Sequence, residues 1–325
     1  MNTKLITIII VNWNGKKWLK RCLGSLKRQT YKYLEVIVVD NDSTDDSVEY
    51  IKKTFPHVIV LQNRKNVGFA TANNKGIAKS KGKYIVLLNN DTWVKPDFTQ
   101  KLYDYYMSHQ YAVIAPVEHR YSHDAYFPCN TTLDILGSPA YYQPTYKKGK
   151  TFFLGGVCLF FEKQLYLETH GLDNNFFMYF EDADWFWRLN MFGKTFAFVR
   201  SIPLFHAGAG TTGKGIQYKA FLWRNQNLLQ MLLKNYSSLM LVLVIPLYIL
   251  QNIVEILFFI FAGKFKIAMS YVEGWYFNIK NWDHITRERK WIQRIRSIDD
   301  WHIMRKMYMG SGKLLLLKTY LSHTS

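Results

Sequence analysis

The stretch Tyr84-Ile-Val-Leu-Leu-Asn-Asn-Asp-Thr92 decides the predicted fold of this chain. Its apolar part has the length of a buried β-strand, and it ends abruptly in polar residues. Asp91 therefore stands at the carboxyl end of a predicted strand. A lone Asp in this position is more often a turn or cap residue, but in open α/β sheets this edge is where ligands bind.

The same pattern occurs three times before this stretch. Leu5–Val11, Val36–Val39 and Val58–Leu61 are rich in β-branched residues, and each precedes apolar residues at helical spacing. This alternation predicts an α/β fold with a mostly parallel sheet and right-handed crossovers. Further strands are predicted at residues 112–116, 152–161, 196–199 and 203–205, and a long irregular segment at residues 117–150.

Composition bounds the size of the fold and the chemistry of the partners. A chain of 325 residues that is 49% hydrophobic has room for one large domain, or for one domain with an appendage. The net charge of +18 implies an anionic partner, which could be nucleic acid, anionic lipid or a phosphorylated substrate. Composition does not choose among these three partners.

The cysteines and the N-terminus indicate a reducing compartment. Cys22, Cys129 and Cys158 are widely spaced and form no metal-ligand pair, so we interpret them as free thiols. The first apolar run, Leu5–Val11, is short and leads into polar sequence, so no signal peptide is expected.

The predicted strands are followed by amide and carboxylate side chains, and the two common nucleotide-binding motifs are missing. Neither G-x-G-x-x-G nor G-x-x-x-x-G-K-[ST] follows any of these strands, which argues against a dinucleotide site or a P-loop. Amides and carboxylates can hydrogen-bond a base and a ribose, and carboxylates can hold a divalent cation on a diphosphate. The residues concerned are Asn12, Asn14, Asp40, Asp42 and Asp91.

A second polar cluster lies between aromatic residues. Glu181, Asp182 and Asp184 are followed by Trp185 and Trp187, which require burial on the same short helix. Carboxylates in a first helical turn are also stabilised by the helix dipole, which is the structural alternative to a catalytic role.

Two further positions are candidates for ligand contact. Gly155 and Gly156 would allow close approach of the backbone to a ligand, and a β-bulge is the alternative explanation. His206 stands at a predicted strand end, where it could share a cation with Asp91, although a lone His is usually structural.

Six motifs resemble, in order, those of family 2 glycosyltransferases, and most closely the rhamnosyltransferase-like branch. The resemblance covers roughly residues 5–235. It implies a GT-A fold, a nucleotide-sugar donor of the dTDP-rhamnose or UDP-hexose type, Mn²⁺ or Mg²⁺, and an inverting displacement. The motifs are Val11-Asn-Trp-Asn-Gly15, Val39-Asp-Asn-Asp-Ser43, Asn66-x-Gly-Phe-Ala70, Leu88-Asn-Asn-Asp-Thr92, Glu181-Asp-x-Asp-Trp185 with Arg188, and His206-x-Gly-x-Gly210.

The resemblance also implies roles for individual residues. Asp40 would bind the pyrimidine, Asp91 and His206 would bind the metal, and Asp182 would be the catalytic base. Asn89 replaces the first carboxylate of the family's D-x-D motif, which leaves Asp91 most of the charged coordination. The other implied roles are donor binding by Asn12, Asn14, Asn41, Asn66, Asn74 and Asn89, support of the base by Glu181, and acceptor binding by Gly155, Gly156, Trp185 and Arg188.

The C-terminal third predicts association with a membrane. Residues 239–262 are apolar and long enough to span a bilayer, but Glu255 would be costly on a lipid-exposed helix, and Pro246 interrupts its start. Residues 264–325 carry twelve Lys or Arg against five Asp or Glu. A single span would move that basic tail across the membrane, so an in-plane or re-entrant helix is favoured, with Trp residues as interfacial anchors. The alternative is a soluble helical subdomain.

These observations lead to one main hypothesis. Residues 1–235 are predicted to form the catalytic domain, with nucleotide-sugar binding at about 1–116 and acceptor binding at about 117–235, and residues 236–325 to form a membrane-associating helical region. The expected enzyme transfers a sugar to a lipid-linked or growing glycan at the cytoplasmic face of the membrane. The alternatives are a catalytically inactive donor-binding scaffold at the membrane and a nucleic-acid-binding protein. Charge alone suggests the latter, so we expect no nucleic-acid partner.

Overall fold

The structure is a computed structural model that describes residues 4–120, 130–142, 151–208 and 217–315. Its ten described strands are β1 (Ile6–Asn12), β2 (Leu34–Asp40), β3 (Ile59–Gln62), β4 (Tyr84–Leu88), β5 (Thr92–Trp93), β6 (Val113–Arg120), β7 (Asn130–Leu133), β8 (Pro139–Tyr142), β9 (Cys158–Glu162) and β10 (Phe196–His206). The described helices are α1 (Lys16–Lys27), α2 (Ser47–Thr54), α3 (Phe69–Lys79), α4 (Phe98–Ser108), α5 (Lys163–Glu168), α6 (Glu181–Met191), α7 (Gln217–Asn235), α8 (Ser238–Phe261), α9 (Phe265–Lys280), α10 (Trp282–Ile295) and α11 (Asp300–Met304).

The chain forms two compact units that alternate along the sequence. Unit 1 consists of Met1–Cys129, Leu154–Phe177 and Lys194–Gly213. Unit 2 consists of Asn130–Phe153, Met178–Gly193 and Lys214–Ser325. Helix α6 therefore belongs to the same unit as the C-terminal helices. The boundary expected near residue 235 stays a prediction.

Unit 1 contains an eight-stranded sheet in the order β3-β2-β1-β4-β9-β6-β10-β5. Strands β1, β2, β3 and β4 are parallel, because each crosses to the next through a helix. Strands β1, β2 and β4 are rich in β-branched residues and are largely buried, as expected for a parallel sheet covered by helices, whereas the edge strand β3 is partly exposed. The predicted α/β fold with a mostly parallel sheet is confirmed.

Three details of the sheet differ from the sequence-based prediction. Strand β9 runs antiparallel between β4 and β6, and β5 runs antiparallel to β10. The strand expected at residues 152–161 begins only at Cys158, because Gly156 and Val157 form a turn. The two strands expected at residues 196–199 and 203–205 are one strand, β10, with an irregularity in its register between Val199 and Pro203.

Unit 2 is mainly helical and joins distant parts of the sequence. The small β7–β8 sheet is tied to the C-terminal segment, because Thr132 Oγ1 donates to Lys306 O (2.8 Å) and Tyr308 N donates to Leu133 O (2.9 Å). Helix α7 packs against α6, α9 and α10. The irregular segment expected at residues 117–150 therefore includes ordered strands, and residues 121–129 and 143–150, with Cys129, lie outside the described residues.

Helix α8 is the one described helix that is long and apolar enough to cross a membrane. It continues through Pro246 rather than starting after it. Most of its apolar surface is exposed. Its buried face consists of Met240, Val244, Tyr248 and Asn252. Glu255 is not isolated, since Lys313 Nζ lies 2.6 Å from both of its carboxylate oxygens.

Candidate active site

A hydrogen-bonded network joins the carboxyl ends of β1, β2 and β4 in unit 1. Asn12 Nδ2 donates to Asp40 Oδ1 (3.0 Å), and Asn12 Oδ1 accepts from Asn90 Nδ2 (2.9 Å). Asp40 also accepts from the backbone N–H of Ser43 (2.9 Å) and from its hydroxyl (2.6 Å). The network therefore fixes the loops that follow these strands.

Gly15 leaves room for this network. A Cβ at this position would lie 2.2 Å from Asn90 Nδ2 and 2.4 Å from Asn12 Oδ1, well inside van der Waals contact. Any side chain here would displace one of the two amides. The Asn-Trp-Asn-Gly sequence after β1 thus combines the amide that bridges the strand ends with the glycine that makes room for it.

The residues expected to bind the nucleoside line this network, and several are buried. Asn12, Asp40 and Asn41 are at most 2% exposed, and Asn41 Nδ2 donates to Gly68 O (3.1 Å). Asn14 is exposed, and its Oδ1 accepts from the Thr44 N–H (2.8 Å). The structure gives these residues a role in ordering the strand-end loops, and their contact with a base stays a prediction.

The other predicted donor-binding asparagines have different environments. Asn74 Nδ2 donates to Leu172 O (2.7 Å) and to Asn174 Oδ1 (2.9 Å), so both of its amide hydrogens are used within the protein. Asn66 Oδ1 accepts from the Gly68 N–H (3.0 Å) and shapes the turn before α3. Asn89 uses its backbone carbonyl to accept from Thr92 Oγ1 (2.6 Å), just before Asp91. Of these three residues, Asn74 attaches α3 to the 172–174 segment through its two hydrogen bonds.

Asp91 and His206 meet at the far edge of the same sheet. The antiparallel register pairs His206 of β10 with Thr92 of β5, which brings the preceding residue, Asp91, beside the imidazole. His206 Nε2 lies 3.1 Å from Asp91 Oδ1, and His206 Nδ1 lies 2.7 Å from Glu118 Oε1. The imidazole is thus held between two carboxylates. Gly210 of the same motif lies outside the described residues.

The charge state of His206 follows from these neighbours. Burial by itself would lower the pKa of the imidazole, but its hydrogen bonds to Asp91 and Glu118, together with their negative charges, raise the pKa to about 9. A metal ion would have to displace a proton from Nε2, because a metal binds the neutral ring.

The Asp91 and His206 pair fits one hard divalent cation. Two ligands at about 2.1 Å on adjacent positions of an octahedral ion lie about 3 Å apart, which matches the spacing of Oδ1 and Nε2. Glu118 would accept a hydrogen bond from His206 Nδ1–H, on the side of the ring away from the metal, as outer carboxylates do at many metal-bound histidines. No group of three or more His, Cys, Asp or Glu side chains in the described part of the chain could hold a metal. The remaining ligands would therefore come from phosphates and water.

The predicted catalytic carboxylates begin helix α6 in unit 2. Glu181, Asp182 and Asp184 all lie in its first turn, where the helix dipole favours negative charge. Glu181 is 7% exposed, and burial followed by the charge of Asp182 raises its pKa to about 8. Glu181 Oε2 has no hydrogen-bond partner among the described protein residues. At neutral pH, Glu181 therefore keeps its proton.

Asp184 is the centre of a buried ionic cluster that sequence reasoning missed. Its carboxylate accepts from Arg188 Nη2 (3.0 Å), Lys234 Nζ (3.0 Å) and Asn235 Nδ2 (2.8 Å), and Asp184 itself is fully buried. Removing one partner of such a cluster leaves an uncompensated charge and costs about 3–5 kcal/mol. The cluster therefore attaches the first turn of α6 firmly to α7.

This cluster changes the interpretation of two predicted acceptor-binding residues. Trp185 is fully buried and Arg188 is 2% exposed, with its guanidinium on Asp184. Arg188 thus has a structural partner within α6, and acceptor binding by Trp185 and Arg188 stays a prediction. Gly155, in contrast, has open space where a Cβ would lie. Gly155 and Gly156 precede β9, so neither a strand interior nor a β-bulge describes them.

Sequence reasoning also gave no role to Glu118, Asn90 and Ser43, although Asn90 and Ser43 stand within the motifs that carry the family resemblance. Glu118 follows a predicted strand at residues 112–116, and this position at a strand end was the available signal for it. Lys234 and Asn235 carry no such signal, because a Lys-Asn pair at the end of a helix is ordinarily a solvated terminus.

Comparison with known proteins gives a consistent result. The family model described as glycosyl transferase family 2 matches residues 7–169. Glycosyltransferase GlyA of Streptococcus pneumoniae serotype 4 is 34% identical over 107 residues, which are 32% of this chain and 15% of that protein. Glycosyltransferase GlyG of the same organism is 35% identical over 104 residues, 31% of this chain and 30% of that protein. The matched part thus spans less than a third of either relative.

The fold is also found in a solved structure. The crystal structure of GalNAc-T7 with UDP, GalNAc and Mn²⁺ superposes with a TM-score of 0.57 at 17% sequence identity, covering 73% of this chain and 49% of that one. At this identity the likeness shows the fold alone, which is the GT-A arrangement of a mostly parallel sheet between helices.

Proposed function

The chain belongs to glycosyl transferase family 2, and from this premise we propose that it is a metal-dependent, inverting glycosyltransferase. Its donor would be a nucleoside-diphosphate sugar of the dTDP-rhamnose or UDP-hexose type. Its acceptor would be a lipid-linked or growing cell-surface glycan. The observation that carries this proposal is the Asp91–His206–Glu118 arrangement, since it combines two adjacent metal-type ligands with an outer carboxylate.

The donor half of the reaction is assigned to unit 1. Asp91 and His206 would hold Mn²⁺ or Mg²⁺, and Glu118 would keep the proton of His206 on Nδ1. When bound, such a cation offsets the negative charge that develops on the leaving diphosphate. The network of Asn12 and Asp40 would order the loops around the nucleoside. The UDP and Mn²⁺ in GalNAc-T7 support a ligand of this class.

The acceptor half is assigned to the first turn of α6. The bond between the anomeric carbon and the phosphate oxygen breaks, and the diphosphate leaves with its electron pair. The acceptor oxygen attacks from the opposite face, forms the new glycosidic bond and gives its proton to Asp182. This single displacement inverts the anomeric centre. Glu181 would remain protonated, because its pKa of about 8 lies above neutral pH. It could therefore donate a hydrogen bond to the acceptor, and Asp182 would be the single base.

We place the enzyme at the cytoplasmic face of a membrane, with α8 in the plane of the interface or re-entrant. The mostly exposed apolar surface of α8 supports this, since a core helix of a soluble protein would be buried. The ion pair between Lys313 and Glu255 lowers the cost of a carboxylate on this helix. The basic residues after Lys264 would face anionic lipid headgroups.

Donor binding and sugar transfer test the two halves separately. Calorimetric titration with UDP in Mn²⁺ should show weaker binding in Asp91→Ala and a smaller loss in His206→Ala, since a neutral ligand contributes less than a carboxylate. Asp97→Ala is the control, because Asp97 forms an exposed ion pair with Lys101 away from the proposed metal site. Metal-dependent binding that is unchanged in both variants would refute the metal site.

Transfer is then measured with Asp182→Asn, whose amide keeps the shape of the side chain but cannot accept a proton. We expect UDP binding to remain and transfer to be lost. Transfer at the unmutated rate would remove Asp182 from the role of base. An unmutated protein that binds nucleotide sugars but transfers none of them would instead be a donor-binding scaffold.

A further inference from the structure

Two consecutive residues before α6 have a backbone conformation that side chains disfavour. Tyr179 has φ +73° and Phe180 has φ +66°, so both lie in the left-handed region. In this region the Cβ of an L-residue crowds the following carbonyl, and bulky residues rarely adopt it. Glu181 and Asp182 follow at once, and the N–H of Asp184 donates to Phe180 O (2.9 Å). The direction in which α6 presents its carboxylates therefore depends on a strained turn.

Such a turn persists only where its surroundings hold it. Asn227 of α7 provides the restraint, because its Nδ2 donates to both Met178 O (2.9 Å) and Tyr179 O (2.7 Å). Asn227 is 1% exposed, so the donor side of both hydrogen bonds is buried. The guanidinium of Arg224, one turn earlier on α7, lies 4.6 Å from the centre of the Tyr179 ring. Helix α7 therefore contacts both the backbone of this turn and the ring of Tyr179.

The same helix also holds the other side of the carboxylate pair. Lys234 and Asn235, two turns after Asn227, bind the buried carboxylate of Asp184. Glu181 and Asp182 are therefore bracketed by two attachments to α7, one before them and one after them. The second attachment fixes the axis of α6, whereas Asn227 fixes the turn from which the helix starts.

We propose that Asn227 is a positioning residue for the Glu181–Asp182 pair, which acts by holding the left-handed Tyr179–Phe180 turn through the carbonyls of Met178 and Tyr179. This rests on the proposed function, in which Asp182 is the base. Asn227 touches no substrate in this role. Its loss lets the turn relax toward ordinary backbone conformations, and the two carboxylates then move with the start of the helix.

The central test is Asn227→Leu, which keeps the branched shape of the side chain and removes both donors. Its matched control is Asn278→Leu, since Asn278 is 2% exposed and also donates its amide to two carbonyls, those of Gln226 (2.9 Å) and Gly274 (2.8 Å). We expect kcat to fall roughly 10- to 100-fold in the Asn227 variant, with KM for the donor and UDP binding little changed. The control should lower kcat far less at a similar loss of Tm.

Rescue distinguishes positioning from a general loss of stability. Phe180→Gly removes the steric reason for strain, because glycine adopts positive φ readily. The double variant Asn227→Leu with Phe180→Gly should therefore regain part of kcat. Asn227→Ser, whose short hydroxyl cannot reach both carbonyls, gives the same comparison if the leucine variant does not fold. The proposal would be overturned if Asn227→Leu lowered kcat no more than Asn278→Leu does. It would also be overturned if Phe180→Gly restored none of the kcat that Asn227→Leu had lost.

Hydrogen exchange separates this proposal from the proposed function. The amides of residues 176–186 should exchange faster in Asn227→Leu than in the unmutated protein or in Asn278→Leu. Unchanged exchange in this segment would overturn the positioning role by itself. The unmutated protein could show no sugar transfer while the Asn227 variant still exchanges faster. That outcome would count against the proposed function but would still show that Asn227 holds the turn.

Discussion

His206 Nε2 lies 3.1 Å from Asp91 Oδ1, although 115 residues separate the two in the sequence. The contact depends on the short antiparallel pairing of β5 with the end of β10. A two-residue strand would be of little consequence for stability, but here it sets the distance between two metal-type ligands.

Glu118→Gln is expected to weaken metal-dependent donor binding by about tenfold, at the lower end of the effect of outer-shell residues. The reason is that glutamine still accepts a hydrogen bond from Nδ1 of His206 but no longer raises the basicity of the ring. Titration of UDP at several Mn²⁺ concentrations measures the effect. Glu162→Gln is the control, since Glu162 pairs with Lys83 at the surface. Equal Mn²⁺ dependence in the two variants would contradict a role for Glu118.

The pH dependence of stability should report Glu181. Its pKa is raised from 4.5 to about 8 in the folded state, mainly by burial and then by Asp182, so the folded protein holds a proton that the unfolded chain releases. The free energy of unfolding should therefore fall as pH rises from about 4.5 to 8, and the stability that this proton provides should be lost above pH 8.

Glu181→Gln removes this titration, so its Tm should fall less steeply over the same pH range. Thermal unfolding at pH 5, 6.5 and 8 compares the two proteins. A variant whose Tm follows the unmutated curve at all three pH values would show that Glu181 ionises normally.

The sequence predicted the parallel half of the sheet closely, and the reason is local. Strands β1 to β4 are short runs rich in β-branched residues with helices between them, so their hydrophobicity and the polar residues that end each run locate them. Strand β4 spans Tyr84–Leu88, as expected. The antiparallel insertion of β9 depends on long-range pairing with β4 and β6, which no local pattern encodes. The same holds for the Asp184 cluster, whose members Lys234 and Asn235 lie about 50 residues away.

Membrane binding should have a salt-resistant part that depends on the apolar face of α8. Leu250 and Val254 are 59% and 60% exposed and lie one turn apart. Leu250→Glu with Val254→Glu should abolish binding to vesicles in high salt, because two charges cannot be buried among acyl chains. Sedimentation with phosphatidylserine vesicles measures the bound fraction. Vesicle binding that survives these changes in high salt would remove α8 from the interface.

The electrostatic part of this binding should depend on the exposed face of α10. Arg287, Lys290 and Arg294 are exposed on this helix. Changing all three to Gln should weaken binding to anionic vesicles by roughly 1 kcal/mol for each residue near the surface. The difference should vanish at high salt, where screening removes the attraction. A loss of the same size on neutral phosphatidylcholine vesicles would contradict an electrostatic origin.

Truncation after Asn235 tests whether the C-terminal helices serve only the membrane. In unit 2, Arg289 and Gln293 of α10 and Arg296, which follows α10, donate to the last carbonyls of α7, among them Leu233 O (2.7 Å) and Asn235 O (2.7 Å). These carbonyls would otherwise lack partners, as at any helix end. Helix α7 in turn holds the Asp184 cluster. Truncation should therefore loosen the start of α6 and not merely release the protein from lipid.

We expect the truncated protein to bind UDP and Mn²⁺ through unit 1, but to lose transfer even to a soluble glycan acceptor. The triple Gln variant of Arg287, Lys290 and Arg294 is the control, because it weakens lipid binding without touching the residues that cap α7. It should transfer normally to the soluble acceptor. If the truncated protein also does so at the unmutated rate, residues 236–325 are dispensable for catalysis, and a boundary near residue 235 separates the catalytic domain from a membrane-binding appendage. If only the truncated protein loses transfer, the C-terminal helices are part of the catalytic fold.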